Sequence, residues 1–408
     1  MDAQLRAERG RLARFLAQTL SGLGHSERQR WGEVYVRGLL SSTERKTAAR
    51  LAQRLPDADE QALQQFVGQS PWAWEPVRER LAKLTIEELE PVAAWVVDDT
   101  GFPKKGEHSV GVARQYSGTL GKIGNCQVAV SLHYVTDDAA VPLDFALYLP
   151  EEWLEPDKRQ EAGIPDDVTF RTKWQLALEL IDRALEWGVK PGVVAADAGY
   201  GTTVEFRAGL AQRGLEFAVG ITSTTSVWLE AVSLEPPPYR GKGRPRRVPT
   251  DVPRASSVLE LGERLPADAW HRITWREGTK GPMTSRFAAV RVRPSHRFTH
   301  HPPREQVLWL LMEWLGGEAA PSRFWLSNVT ATTDLPELVR LVKIRWWIEQ
   351  GYQQLKDELG LDHYEGRTWR GWHHHVTLTM IAFAYLVLEM RQGQKNFWTD
   401  YASAGGAA

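Results

Sequence analysis

Cys126 is the single cysteine in 408 residues, which excludes a disulfide frame and a thiolate metal knuckle and fits a reducing cytoplasm. No basic, apolar leader opens the chain, whose first helix is rich in Arg and Glu, so a cytoplasmic protein is expected. The most apolar run, Val376 to Met390, is too short to span a bilayer and reads as a buried helix. Gly118, Gly121 and Gly124 are not followed by Gly-Lys-Ser/Thr, which excludes a Walker phosphate loop. No internal repeat is evident. Charge of one sign is also lacking overall, with a net of −1. That sum hides an asymmetry: Arg240 to Arg304 holds 15 Lys and Arg against five acids, a surplus of ten, so the remainder carries −11. A basic module on an acidic body predicts a polyanionic partner.

Residues 2 to about 90 read as helical, with apolar positions at Leu5, Leu12, Phe15, Leu16 and Leu20 in the first helix and later helices over 35–55, 60–67 and 76–84. No helix-turn-helix signature stands out among them. Near residue 92 the period changes. Val92–Val97 is a short apolar run, the mark of a buried strand, ending in Asp98-Asp99-Thr100-Gly101. Further strands are expected over 127–135 and 141–149, with Asp137-Asp138 in the turn between them. A helix over 174–187, a strand over 193–196 ending in Asp197-Ala198-Gly199-Tyr200-Gly201, a helix over 203–210 and a strand over 217–221 follow. This order predicts an α/β fold, a mixed sheet with flanking helices. From Thr222 to about Pro321 the chain turns basic and β-rich, with period-two stretches at 270–275 and 286–293 and apolar strands at 307–313 and 324–328. A helical run from Leu335 then continues into Arg345-Trp346-Trp347-Ile348-Glu349-Gln350-Gly351-Tyr352-Gln353-Gln354-Leu355-Lys356. If it is unbroken, Arg345, Glu349, Tyr352 and Lys356 share one face.

Asp98 and Asp197, each closing a core strand, can lie side by side if those strands are neighbours, and Glu349 could reach the same spot from its helix. Taken singly, an Asp after a strand is as readily a helix cap or turn former. Together, three carboxylates with no cysteine or histidine cluster favour hard cations, Mg²⁺ or Mn²⁺. Two such ions about 3.5–4 Å apart clamp the attacking and leaving oxygens of a phosphodiester displacement.

These stretches carry a resemblance to a known family. Asp98-Asp99-Thr100-Gly101-Phe102-Pro103-Lys104-Lys105-Gly106, Gly111–Gly118 and Ala196–Gly201 resemble the DDE transposases of bacterial insertion sequences, most closely the insertion sequence 701 family. Arg345, Glu349 and Lys356 fit the spacing of that family's signature Tyr-x2-Arg-x3-Glu-x6-Lys, but its Tyr position is Val342 here, for which Tyr352 is a candidate substitute. The pattern Asp-x-Thr selects Asp98 over its runner-up Asp99; strand neighbours point oppositely, so only one of them faces the metals. The resemblance implies an RNase H-like core with a β insertion between the second Asp and the Glu. It implies Asp98, Asp197 and Glu349 as catalytic metal ligands, two Mg²⁺ (or Mn²⁺) ions per site, and Arg345 and Lys356 on transposon-end phosphates. It also implies cut-and-paste transposition by DNA cleavage and strand transfer, on double-stranded terminal inverted repeats and target DNA, by a homodimer assembled on DNA with no membrane role.

The remaining basic residues are weighed in the same light. Arg240, Lys242, Arg244, Arg246 and Arg247 form a Gly/Pro-rich loop suited to the DNA backbone, and Lys104, Lys105, Arg114 and Lys122 are further phosphate candidates. Trp270 and Trp275 could stack on an extruded base, though core packing is the plainer role among 18 tryptophans. His373-His374-His375 cannot ligate one ion from a regular helix and are expected to start the last helix near DNA. Trp346-Trp347 is expected to pack its helix on the sheet. The domains expected are an N-terminal helical DNA-binding candidate (1–90), the first part of an RNase H-like core (91–221), a β-rich basic insertion (222–321), closing core helices (322–395) and a tail (396–408). A DNA-binding protein derived from a transposase, without cleavage, is the alternative; the acidic trio argues against it.

Overall fold

The computed structural model describes residues 2–41, 45–232, 241, 253–278, 281–295 and 307–392. The chain divides into two compact units, Met1–Pro191 with Trp346–Ala408, and Gly192–Arg345. These are not the boundaries read from the sequence: the N-terminal helices share a unit with the strand that carries Asp98.

The first unit opens with α1 (Asp2–Leu20), α2 (Ser26–Leu39), α3 (Ala48–Arg54), α4 (Glu60–Gly68) and α5 (Glu75–Leu89). Their ends follow local chemistry: Thr47 and Asp59 cap α3 and α4 through their side chains, and Pro76 sits in the first turn of α5. Four strands follow, β1 (Ala94–Pro103), β2 (Ala113–Ser117), β3 (Lys122–Val135) and β4 (Ala140–Leu147), then α6 (Pro156–Ala162) and α7 (Lys173–Glu186). All pairing among these strands is antiparallel. β3 lies between β1 on one side and β2 and β4, end to end, on the other. Because β1 keeps its register with β3 from Ala94↔Val135 to Pro103↔Cys126, Asp98 is not at a strand end as expected but in mid-strand, opposite Ser131.

The second unit runs β5 (Val193–Ala196), α8 (Ala198–Gly201), α9 (Val204–Gln212), β6 (Phe217–Ile221), β7 (Ser226–Leu229), β8 (Ser256–Ser257), α10 (Val258–Arg264), β9 (His271–Gly278), β10 (Gly281–Pro294), β11 (Leu308–Trp314), β12 (Arg323–Ser327) and α11 (Leu335–Lys343). Its strands pair in the order β5-β6-β12-β11-β10, with β9 and β7 along the far edge of β10. Among the described strands of this unit β5 pairs with β6 in parallel and the others pair antiparallel, so the sheet is mixed. The α/β class read from the sequence holds. α11 lays Leu338, Val339, Leu341 and Val342 against Phe287, Leu311 and Trp325 of this sheet. The two tryptophans raised as base-stacking candidates are used here: Trp270 meets Trp314 edge to face, and the Lys343 ammonium stands 4.3 Å over Trp275 while donating to buried Glu313 at 2.6 Å.

Back in the first unit, α12 (Trp346–Asp357) and α13 (Trp369–Arg391) close the fold. The helix expected to run unbroken into Lys356 is interrupted by a turn at Ile344 and Arg345, so Arg345 does not share a helix face with Glu349. α13 is buried on every side for most of its 23 residues, packed by α2, α4, α5 and β4. No helix among the described residues is long and apolar enough to cross a membrane.

His373, His374 and His375 therefore lie in the core and not at the surface. His374 stacks on Trp72 at 3.6 Å between centroids, with one ring nitrogen 2.9 Å from each of the carbonyls of Val67 and Trp72. His375 Nδ1 is 2.9 Å from the Tyr35 hydroxyl and its Nε2 2.9 Å from Gly360 O. Their surroundings fill the space a ring needs and leave no room for hydration, so burial pushes His374 and His375 down to about 4, and His133 in β3 to about 3. Beside them, Arg78 of α5 is buried against Asp144 of β4 at 2.6 Å and also donates to Phe145 O, Thr377 and His373 O. Arg183 of α7 holds the other Asp144 oxygen at 2.8 Å. The two arginines keep the Asp144 carboxyl below its usual range despite burial.

Two outcomes are expected. The unfolded histidines titrate near 6.5 and bind more protons than the folded ones below that pH, so this part of the stability is complete above 6.5 and is lost as pH falls toward 4. Unfolding free energies from urea titrations between pH 7.5 and 5 should decline toward a slope of roughly 1.4 kcal/mol per pH unit per histidine below pH 6.5; a flat profile would contradict the buried neutral rings. Asp144→Asn should cost about 3–5 kcal/mol in the same assay, because it leaves buried Arg78 without its counter-charge.

Candidate active site

Asp98 and Asp99 are adjacent on β1, so their side chains leave the sheet on opposite faces. Asp99 is taken up by Lys173 of α7, whose ammonium is 3.0 Å from Oδ2. Asp98 pairs directly with Ser131 across the ladder, which puts both side chains on the other face. That face is where α12 docks. The hydroxyls of Ser131 and Tyr352 are 2.5 Å apart, and Ser131 Oγ is also 2.8 Å from His133 Nε2. Asp98 is half-buried, and its Oδ1 accepts from the Asp99 amide at 2.8 Å.

Glu349 lies on α12 three residues before Tyr352 and is exposed. Four residues after Tyr352, the Lys356 ammonium donates to Gly101 O at 2.8 Å and Thr119 Oγ1 at 2.9 Å, and burial lowers its pKa. One helix thus sets Glu349, Tyr352 and Lys356 along the strand of Asp98. Val342, at the family's tyrosine position, is core. Tyr352 is buried, and the contact of its hydroxyl with Ser131 helps seat α12. Trp347 lines a cleft together with Ala140 of β4 and with Phe383 and Val387 of α13.

Asp197 belongs to the second unit, where it caps the short α8: Oδ1 accepts from the amides of Gly199 at 2.9 Å and Tyr200 at 3.4 Å. The plain structural role is thus fulfilled, and a cap through one oxygen is compatible with a second task for the carboxylate. Among the described residues no three carboxylate, imidazole or thiol groups converge into a ready-made cage for an ion. The donor set itself is all carboxylate oxygen and suits a hard divalent cation. Mg²⁺ in particular is commonly held by one or two carboxylates with waters and substrate phosphates.

The basic candidates separate by what they touch. Lys105, Arg114 and Lys122 are exposed. The Lys104 ammonium is turned inward onto Tyr364 O at 2.7 Å, and burial lowers its pKa. Arg345 is half-buried in the turn before α12. Arg240, Lys242, Arg244, Arg246 and Arg247 lie outside the described residues. Sequence reasoning missed β2, although Ala113–Ser117 alternates in burial before the turn glycines. It also missed the Ser131–His133 pair, which two-residue spacing on a strand places on one face.

Comparison with known proteins follows the same lines. A family profile described as DDE superfamily endonuclease matches residues 18–282, a span that contains Asp98 and Asp197 and ends before Glu349. A probable transposase for insertion sequence element IS701 from Microchaete diplosiphon is 28% identical over 335 residues, covering 80% of this chain and 75% of that protein. A cryo-EM structure of a piggyBac transposase synaptic complex with hairpin DNA superposes with a TM-score of 0.42 at 11% identity, covering 92% of this chain and 70% of that one.

Tyr352→Phe should lower stability by about 1–3 kcal/mol, since it leaves Ser131 and His133 short of a buried partner. Chemical denaturation measures this directly, and an unchanged midpoint would mean the hydroxyl does not seat α12.

Proposed function

The chain belongs to the DDE superfamily of endonucleases, and on that premise we propose that it is a DNA transposase that cuts insertion-sequence ends and joins them to target DNA. The observation that carries this reading is the sorting of the carboxylates in the first unit. Asp99 is neutralised by Lys173, while Asp98 faces the helix that bears Glu349. A pure binding module has no use for an acidic residue directed toward the helix that bears a second one.

In this reading Asp98, Asp197 and Glu349 would hold Mg²⁺ or Mn²⁺ through carboxylate oxygens. When bound, such ions supply Lewis-acid stabilisation of the phosphodiester displacement. The chain's own contribution is positional. The Ser131–Tyr352 contact seats α12, the Lys173 contact holds Asp99 away, and Lys356 ties α12 to the end of β1. Arg345, Lys105, Arg114, Lys122 and the basic loop from Arg240 to Arg247 would contact phosphates of transposon ends and target. Water attack would free a 3′-OH and leave a 5′-phosphate on the flanking strand, and that hydroxyl would then bond to a target phosphorus, whose bond to the target's own 3′-oxygen breaks to leave a free target 3′-OH. Two ends require two such sites, so a homodimer on DNA is part of the proposal.

The test is cleavage of labelled DNA carrying the element's own ends, with Mg²⁺. Glu349→Gln and Asp98→Asn should each lose more than about a hundredfold in cutting while gel-shift binding survives, and Asp99→Asn should keep cutting within about threefold. Binding by wild type and variants with no cutting by any, in Mg²⁺ or Mn²⁺, would favour a transposase-derived DNA-binding protein. A loss in Asp99→Asn but not Asp98→Asn would reverse the assignment of the first carboxylate.

A further inference from the structure

The β2–β3 hairpin leaves the strand of Asp98 and presents an unusual face. Tyr116 and Ile123 are direct cross-strand partners, and both are 61% exposed, the highest among the large hydrophobic residues of the described surface. Side by side on one face, they form a small apolar blade. Arg114, two residues before Tyr116, is exposed on the same face, and Lys122, next to Ile123, is exposed on the opposite face of the hairpin. Between His108 and Thr136 there is no Asp or Glu. Lys105 adds a third cation, in a loop fixed by Asn125 of β3, whose amide donates to Lys104 O and Gly106 O at 2.9 Å.

The hairpin is held, not loose. Thr119 in its turn accepts from the Gly101 amide at 3.2 Å and from the Lys356 ammonium at 2.9 Å. A Cβ at Gly101 would collide with Ser117, so the hairpin packs onto β1 without a gap. The blade therefore keeps a set position relative to Asp98 and the helix of Glu349.

We propose that this hairpin is a base-contacting wedge: Tyr116 and Ile123 pack against bases unstacked near the cleaved end, while Arg114 and Lys122 engage the flanking phosphates. This rests on the transposase reading and says which feature of the DNA the site recognises. A phosphate backbone offers an apolar pair nothing. Base faces do, and a paired duplex shows them only where it is frayed, kinked or opened. The cations identify the partner as polyanionic. A second copy of this chain fits less well, because a two-fold contact through the blade would bring Arg114 toward its own copy, and two side chains fall far short of a standard interface.

The experiment compares binding to a fully paired duplex and to the same duplex with a short mismatched bubble containing 2-aminopurine. The full-length wild type should favour the bubble by about tenfold and change the 2-aminopurine fluorescence. Tyr116→Ser with Ile123→Ser should remove both the preference and the fluorescence change. Tyr116→Phe should retain both, since the ring does the packing. Arg114→Ala with Lys122→Ala should weaken both DNAs alike and shallow the salt dependence. An unchanged bubble preference in the double serine variant overturns the wedge, as does a wild type without preference. If the double variant instead dissociates a DNA-free dimer seen by light scattering, the blade belongs to a second copy. Wild type that cuts its ends but ignores the bubble sinks only the wedge; wild type that binds neither DNA sinks the transposase reading as well.

Discussion

The first unit depends on one buried carboxylate. Asp144 sits in β4 with Arg78 of α5 on one oxygen and Arg183 of α7 on the other, and Arg78 reaches on to Thr377 and the His373 carbonyl of α13. A charge taken from water must be matched by charge and hydrogen bonds where it lies, and here the matching draws on four separate elements. Withdrawing any one of them strands an ion in the core. The N-terminal helices are therefore built into the body that presents Asp98. A detachable DNA-reading module, which the break at residue 90 suggests, would have its own core and few such ties.

Much of this was legible in the chain. The apolar runs at Val193–Ala196 and Phe217–Ile221 are strands with those very limits, because short buried strands between a helix and a turn have few other options. Other features were not legible, for identifiable reasons. The turn at Ile344–Arg345 interrupts a pattern whose helical period continues on both sides, so periodicity alone reads through it. The three histidines carry polar side chains and look like surface, yet stacking on Trp72, Trp74 and Tyr364 makes them core. Composition cannot reveal a tertiary partner three hundred residues away.

The candidate site shows the same division. The candidate acids were readable from their position after apolar runs and from a familiar motif, whose Asp-x-Thr spacing selects Asp98 over Asp99; the ion pair that occupies Asp99 was not, because Lys173 lies 74 positions away. Lys356 likewise fits a phosphate-binding spacing, but in this structure its ammonium links α12 to β1 and to the hairpin turn. A lysine so placed reports on the arrangement of the helix as much as on any bound anion. Among the candidate cations of the first unit, Lys105, Arg114 and Lys122 are the exposed ones.

The glycine after Tyr200 completes the picture differently. A side chain at Gly201 would collide with the carbonyl of Gly220 and with Val219, since α8 rests directly on β6. Gly201 and Gly220 are thus demanded by architecture and not by chemistry. A descendant that had traded its acids for amides and ceased to cut would keep the same glycine pattern, simply to fold. Relics of such a chain, domesticated or decayed, would still carry the motif's silhouette, and only the carboxylates themselves would tell a living enzyme from its fossil.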